Sequence, residues 1–300
     1  MKIDTLILSG GGIKCYTFLG SLKYMVDKNI ISEDLIGIKT VIGCSGGSLF
    51  ILPLLLGYSI NVTIQLLLKY NISNVTNISD FSFKDLLSQY GFFPNEFLEN
   101  IIHLLLLHKK LPIDITLKQL YEYNQIDFIS KVVNVSLNRV EYMNHISNPD
   151  IPLTTVIRMT TCIPFVFRPI KYNDCYYVDG AIRGGGFPID RKRSKKYIGI
   201  CIKNICSEKK EINSILDYIS ELATCTGEET EKHKYKKRII NIEYQGHGCN
   251  FTENKKDKIM MVQKGYLSTK QHFQNLNSQK HNEPNQNHLH NPQYSNEASP

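Results

Sequence analysis

The chain has 300 residues, of which 42% are hydrophobic and 21% charged, and a formal net charge of +7. That composition is ordinary for a soluble globular protein with a core of its own. No apolar run approaches the ~20 residues a membrane-spanning helix needs. The mild positive charge suits an anionic membrane surface or a nucleic acid and is specific to neither.

Residues 3–9 are apolar and read as a buried strand. Beyond three glycines, Phe18, Leu22, Met25 and Val26 fall at helical spacing. Residues 38–43 read as a second strand, and "GSLFILPLLLGY" is an apolar segment suited to a buried helix. This alternation is the βαβ rhythm of a parallel sheet. From 58 to 125 the pattern is mostly helical. Strand character returns in "KVVNVSLNRVEYM", "CYYVDG" and "KYIGICI". A helix is expected over "EINSILDYISELATC", a late strand over "RIINIEY" and a closing helix over "KIMMVQKGYLSTKQHFQ". Residues 277–300 are polar, rich in Asn, His and Pro, and read as a disordered tail behind one α/β domain at 1–276.

The N-terminal apolar stretch is too short for a signal peptide, so a cytoplasmic protein is expected. The eight cysteines form no C-x-x-C pair; they read as free thiols, and a zinc site is not expected.

Two glycine turns carry the chemistry. Gly43-Cys44-Ser45-Gly46-Gly47 matches G-x-S-x-G between a strand and an apolar helix. Such a turn is sharp enough to lift a serine hydroxyl clear of the sheet edge, with Gly43 and Gly47 letting neighbouring backbone pass. A plain glycine turn has the same letters, so the flanking strand and helix carry the argument. The earlier turn, Gly10-Gly11-Gly12-Ile13-Lys14, lacks the G-K-[ST] of a P-loop. As a dinucleotide loop it lacks a third glycine, although Glu33 and Asp34 stand at a plausible distance. As an oxyanion hole it offers successive backbone N–H groups with the positive potential of Lys14 nearby. Both turns follow parallel strands, so both can occupy one edge of the sheet.

A serine nucleophile needs a base. None of the nine histidines is a convincing candidate: His103 and His108 sit in an apolar helical segment, and the others are isolated or C-terminal. Asp179 is the remaining option, at a strand end in "YYVDGA" beside Gly180 and Ala181. Asp-Gly is also a common turn, and alone it would mean no more than that.

These three turns, in this order, resemble the patatin-like phospholipases. The stretch leading through "IPFVFRPIKYNDCYYVDGA" and the "KGY" of the closing helix are similar to the family's as well. The resemblance implies a three-layer α/β/α fold with a mostly parallel sheet. It implies a Ser–Asp dyad without histidine: Ser45 attacks an ester carbonyl and Asp179 takes its proton. The oxyanion hole would comprise Gly10, Gly11, Gly12, Lys14 and Gly46, with the N–H groups of Gly11, Gly12 and Gly46 holding the oxyanion and Lys14 shaping the loop. The implied substrates are phospholipids or other acyl lipids, and no cofactor or metal is required. Two positions depart from the family pattern. Cys15 stands where glycine is usual, and Gly184–Gly186 replace an asparagine that usually follows the aspartate. The departures keep a second reading open, a catalytically weak lipid-binding or regulatory protein. A nucleotide-binding domain built on Gly10–Gly12 is the third.

Arg191, Lys192, Arg193, Lys195 and Lys196 form a basic run close behind the Asp179 turn. It reads either as a solvated turn or as a contact for anionic lipid near the mouth of the site. No basic motif interleaved with aromatics supports nucleic-acid binding.

Overall fold

The computed structural model describes residues 2–69, 83–188, 194–203, 236–245 and 254–281, with scattered positions between 212 and 222. The first strand, β1 (Thr5–Leu8), is buried along its whole length, as a central strand of a parallel sheet must be. A 3-10 turn, Gly12–Cys15, leads into α1 (Tyr16–Asp27). Then come β2 (Thr40–Cys44) and α2 (Gly46–Leu55), with Ser45 alone between strand and helix.

Helices α3 (Ile60–Lys69), α4 (Phe83–Gln89), α5 (Glu96–His108) and α6 (Leu117–Asn124) follow, with a short strand β3 (Gly91–Phe93) among them. The hairpin β4 (Asp127–Asn134) and β5 (Arg139–Met143) leads to α7 (Leu153–Thr160). Strands β6 (Phe165–Phe167), β7 (Ile170–Tyr172) and β8 (Cys175–Asp179) come next. The described chain finishes with β9 (Tyr197–Lys203), β10 (Ile239–Glu243) and a closing helix, Lys255–His281.

The main sheet has eight strands in the order β10-β9-β1-β2-β4-β8-β7, with β5 also on β4. The strands from β10 to β4 run parallel, while β5 and β8 are antiparallel to β4. Alternate residues feed opposite faces. Leu6, Leu8 and Val41 join the larger core cluster, and Ile7, Ile42 and Ile129 join a second. Both faces are therefore covered: the sheet is mixed and flanked by helices, parallel from β10 to β4 as the βαβ pattern predicts and antiparallel at β5 and β8. No helix among the described residues is long and apolar enough to cross a membrane.

The closing helix crosses α1 at very short range. A Cβ on Gly20 would lie 1.8 Å from the Val262 carbonyl oxygen, and one on Gly265 would lie 1.8 Å from that of Thr17. Backbone meets backbone, so no side chain can yield. Gly20→Ala is expected to cost about 3 kcal/mol of unfolding free energy in a urea melt, because the helices must separate.

Two expectations change. The closing helix continues to His281, past the boundary expected at 276, because adding a polar residue to an existing helix costs little once the helix is nucleated. Residues 282–300 lie outside the described residues, as does most of the helix expected over 211–225. The end of the basic run is also displaced. Lys195 and Lys196 are exposed and directly precede β9, whose first residue Tyr197 pairs in parallel with Thr5 at the start of β1. They stand at the edge where these strands begin, while Gly10 and Ser45 follow the strands' ends. Four residues of strand, ~13 Å, separate the two edges. Arg191, Lys192 and Arg193 lie outside the described residues.

Candidate active site

Strand β4 brings the serine and the aspartate together. Along one edge it pairs first with β2, which ends with Cys44 opposite Lys131. One residue later it pairs with β8, which arrives from the other direction and ends with Asp179 opposite Val132. Two strands of opposite sense thus finish almost end to end. Their next side-chain contact is a hydrogen bond, Ser45 Oγ donating to Asp179 Oδ2 at 2.5 Å across 134 residues of sequence.

The Ser45 backbone has φ 51° and ψ −129°, a region non-glycine residues avoid. Such a conformation costs on the order of 1–3 kcal/mol and persists only where its surroundings impose it. They do so here. A Cβ on Gly43 would meet Ser48 Oγ at 2.5 Å, and one on Gly47 would meet the Ser9 carbonyl at 2.5 Å. The Ser45 N–H donates to Thr160 Oγ1 at 2.8 Å, and that hydroxyl donates to the Lys131 carbonyl at 2.7 Å. Thr160, at the end of α7, thereby ties the serine turn to β4.

Asp179 is 3% exposed and held by its backbone and one carboxylate oxygen. Its N–H donates to the Cys162 carbonyl at 2.8 Å, and Oδ1 accepts the Ala181 N–H at 2.8 Å, leaving Oδ2 for Ser45. Gly180 has no room for a side chain, since a Cβ would lie 2.3 Å from the Lys131 carbonyl. Burial pushes the Asp179 carboxyl up to about 6, against the opposing effects of the Ser45 hydrogen bond, the Ala181 N–H and the Lys131 charge. The group sits ready to accept a proton near neutral pH.

The first glycine turn lies against the other two. A Cβ on Gly10 would stand 3.2 Å from Ser45 Cβ and 3.5 Å from Ala181 Cβ. The Gly10 N–H is not free to meet a ligand, because it donates to the Gly186 carbonyl at 2.9 Å. Lys14 is buried and its N–H donates to the Gly11 carbonyl at 3.2 Å. Gly11, Gly12 and Gly46 remain as backbone donors at two adjoining helix starts. Gly12 and Gly46 line the pocket over Ser45. Cys15 packs behind them, its sulfur 2.7 Å from where a Gly46 Cβ would stand and 3.4 Å from that of Gly11. Burial pushes its thiol well up, so Cys15 is a neutral filler there.

That pocket is almost wholly apolar, walled by Ile13, Leu49, Phe50, Phe97, Ile163 and Phe167. Its wall is braced by Arg158 of α7, which donates to Asn95 Oδ1 at 2.8 Å and Glu99 Oε2 at 2.7 Å, clamping α5.

The dinucleotide reading does not survive this geometry. Glu33 and Asp34 precede β2, on the edge away from Gly10. Glu33 Oε1 accepts the N–H of Ile60, and Asp34 accepts from Ser32 and Ile36. Nor does a histidine join Ser45 among the described residues: His108 pairs with Tyr58 and His145 with Asp127.

Sequence reasoning missed Thr160 and Lys131. Nothing marks Thr160 in "RMTTC". Lys131 did leave a trace, a single charge inside the apolar strand "FISKVVNV", where an unpaired ammonium could not be buried.

A family model described as "Patatin-like phospholipase" matches residues 6–191. Over 198 residues the chain is 28% identical to a protein of Invertebrate iridescent virus 6 named as a probable lipid hydrolase; the match covers 64% of this chain and 66% of that protein. It is 25% identical over 285 residues to an uncharacterized protein of Acanthamoeba polyphaga mimivirus, covering 90% of this chain and 93% of that one. In fold it is similar to VipD from Legionella pneumophila, with a TM-score of 0.63 at 15% identity over 92% of this chain and 67% of VipD. The type III effector ExoU gives a TM-score of 0.52 at 14% identity, and there the match covers 92% of this chain and 53% of the effector.

Proposed function

The chain belongs to the patatin-like phospholipase family, and from that premise we propose that it is a serine lipid acyl hydrolase cleaving acyl esters of glycerophospholipids. The observation that carries this reading is the hydrogen bond from Ser45 Oγ to the buried Asp179 Oδ2. A serine hydroxyl is a weak nucleophile until a base takes its proton, and no other base contacts this one among the described residues. Ser45 Oγ attacks the ester carbonyl carbon as its proton passes to Asp179. The N–H groups of Gly11, Gly12 and Gly46 receive the negative oxygen of the tetrahedral intermediate. Asp179 returns the proton to the departing alcohol oxygen, leaving the acyl group on Ser45. Water, deprotonated by Asp179, then attacks the acyl carbonyl; the bond to Ser45 Oγ breaks, Asp179 passes the proton to that oxygen, and the fatty acid leaves.

The pocket supports a lipid substrate. Its apolar wall suits an acyl chain and offers nothing to a charged head group. In this reading the pocket receives the acyl chain, while Lys195 and Lys196 stand at the opposite edge of the sheet. What favours turnover over mere lipid binding is the aligned dyad beside a strained serine.

The test is a fluorophosphonate probe with peptide mass mapping, alongside release of fatty acid and lysophospholipid from phosphatidylcholine vesicles. An adduct on Ser45 together with both products is expected. Lipid binding without either would favour the regulatory protein. The pH dependence follows from Asp179, which must be anionic to act. kcat/KM should rise with pH through a midpoint near 6 and level off above it, as read from the acid limb of the profile.

A further inference from the structure

The Gly184–Gly186 run, which stands where an asparagine is expected, is fastened by a side chain from the sheet below it. Lys131 is 3% exposed, on β4 one residue before the one that pairs with Asp179. Its side chain passes under the aspartate turn, where a Cβ on Gly180 would lie 3.0 Å from Lys131 Cγ. Its ammonium donates to the carbonyl of Arg183 at 2.8 Å and to that of Gly185 at 2.7 Å. Gly184 and Gly185 adopt φ of 66° and 71°, so two consecutive left-handed residues turn their carbonyls onto one cation. The next residue, Gly186, accepts the N–H of Gly10. The same lysine offers its main-chain carbonyl to Thr160, which holds the Ser45 N–H. One residue is thus bonded towards all three catalytic turns.

We propose that Lys131 is a positioning residue of the ester-cleaving site, fastening the glycine run to the Ser45 and Gly10 turns and supplying the positive charge that faces Asp179. The proposal rests on the reading of Asp179 as the base. Among the described residues, four titratable side chains besides Ser45 bear on that carboxylate: Cys15 from the 3-10 turn, Cys44 from β2, Cys162 after α7 and Lys131 from β4. Burial pushes all three thiols up, which leaves them neutral. Lys131 is the charged member of the set, and its field favours the carboxylate. An amide at that place could hold the loop but could not supply the charge. This chain does both with one ammonium, which suits a loop of glycines whose carbonyls are free to turn.

Two variants separate these roles, each checked for folding by circular dichroism. Lys131→Met keeps the stem and removes both hydrogen bonds and the charge. Lys131→Gln keeps an N–H donor and removes the charge. In both, the acid limb of the kcat/KM profile should move up by about one pH unit. In Lys131→Met, kcat at the alkaline plateau should fall about tenfold further than in Lys131→Gln, because the turns lose their alignment. An unmoved acid limb in either folded variant would overturn the proposal. So would failure of both variants to fold, which would assign Lys131 to the core alone. The wild-type control keeps the two readings apart. Wild type with no Ser45-dependent hydrolysis rejects the hydrolase, whereas an active wild type with an unmoved limb rejects only the role of Lys131.

Discussion

Replacing Ser45 by alanine is expected to abolish both fluorophosphonate labelling and fatty-acid release, with kcat/KM falling by ~10⁴-fold or more. The size follows from the absence of a substitute nucleophile. Cys44 is the adjacent side chain with the right chemistry, yet it is fully buried and its thiol is pushed far up by desolvation. Ser48 is buried too, with its hydroxyl engaged by Ser130. Alanine keeps the Cβ and therefore the demands of the turn. The fold should stay intact in circular dichroism, with the strain at φ 51° still present. Residual turnover near the wild-type rate would reject the mechanism outright.

Asp179→Asn should lower kcat by ~10³–10⁴-fold, the range expected when a positioned general base is lost. Asparagine has nearly the same shape, and its carbonyl oxygen can still accept the Ala181 N–H. The loss would therefore report proton transfer and not collapse of the turn. The same variant carries a stability signature of the opposite sign. The folded-state pKa of Asp179, about 6, lies above the ~3.9 of an exposed aspartate. Its contribution to stability is fully present below pH ~3.9 and lost as pH rises through about 6. Above that point the buried carboxylate costs the native state roughly 2–3 kcal/mol, which asparagine does not. Thermal melts should show Asp179→Asn gaining on wild type as pH rises from 4 to 7. A gap between the two proteins that stays constant over that range would contradict the raised pKa.

These two outcomes share one source. The site holds a serine in a forbidden backbone region and a carboxylate out of water, and both features oppose stability while favouring reaction. The surroundings hold them in place through backbone contacts. The glycines at 43, 47 and 180 let main chain approach main chain to distances that any Cβ would block. Thr160 and Lys131 then fasten the turns from α7 and β4.

Much of this was legible along the chain because it is local. The apolar runs of β1 and β2, the helical spacing after Gly12 and the G-x-S-x-G turn are each written within a dozen residues. Cys15 was legible as a departure from the family's glycine, and its sulfur fills the space behind Gly11 and Gly46. Lys195 and Lys196 were legible as charge but not as place. Their distance from Asp179 in sequence is short, yet they directly precede β9, which begins beside the start of β1. Sequence proximity to the aspartate turn therefore put Lys195 and Lys196 at the wrong edge.

The sequence alone determined the α/β rhythm, the two glycine turns and the candidacy of Ser45 and Asp179, because residue periodicity and the backbone freedom of a glycine are local properties. Only the tertiary structure decided which donors are open to a substrate. The Gly10 N–H is closed by Gly186, and the Ser45 N–H by Thr160. It also decided that Asp179 lies on Ser45, through a strand that pairs with β2 and then with β8 along the same edge. Hydrogen-bond partners 115 and 134 residues away leave no periodic mark. They are set by where the strands end, and a strand end is fixed by the packing of the whole sheet.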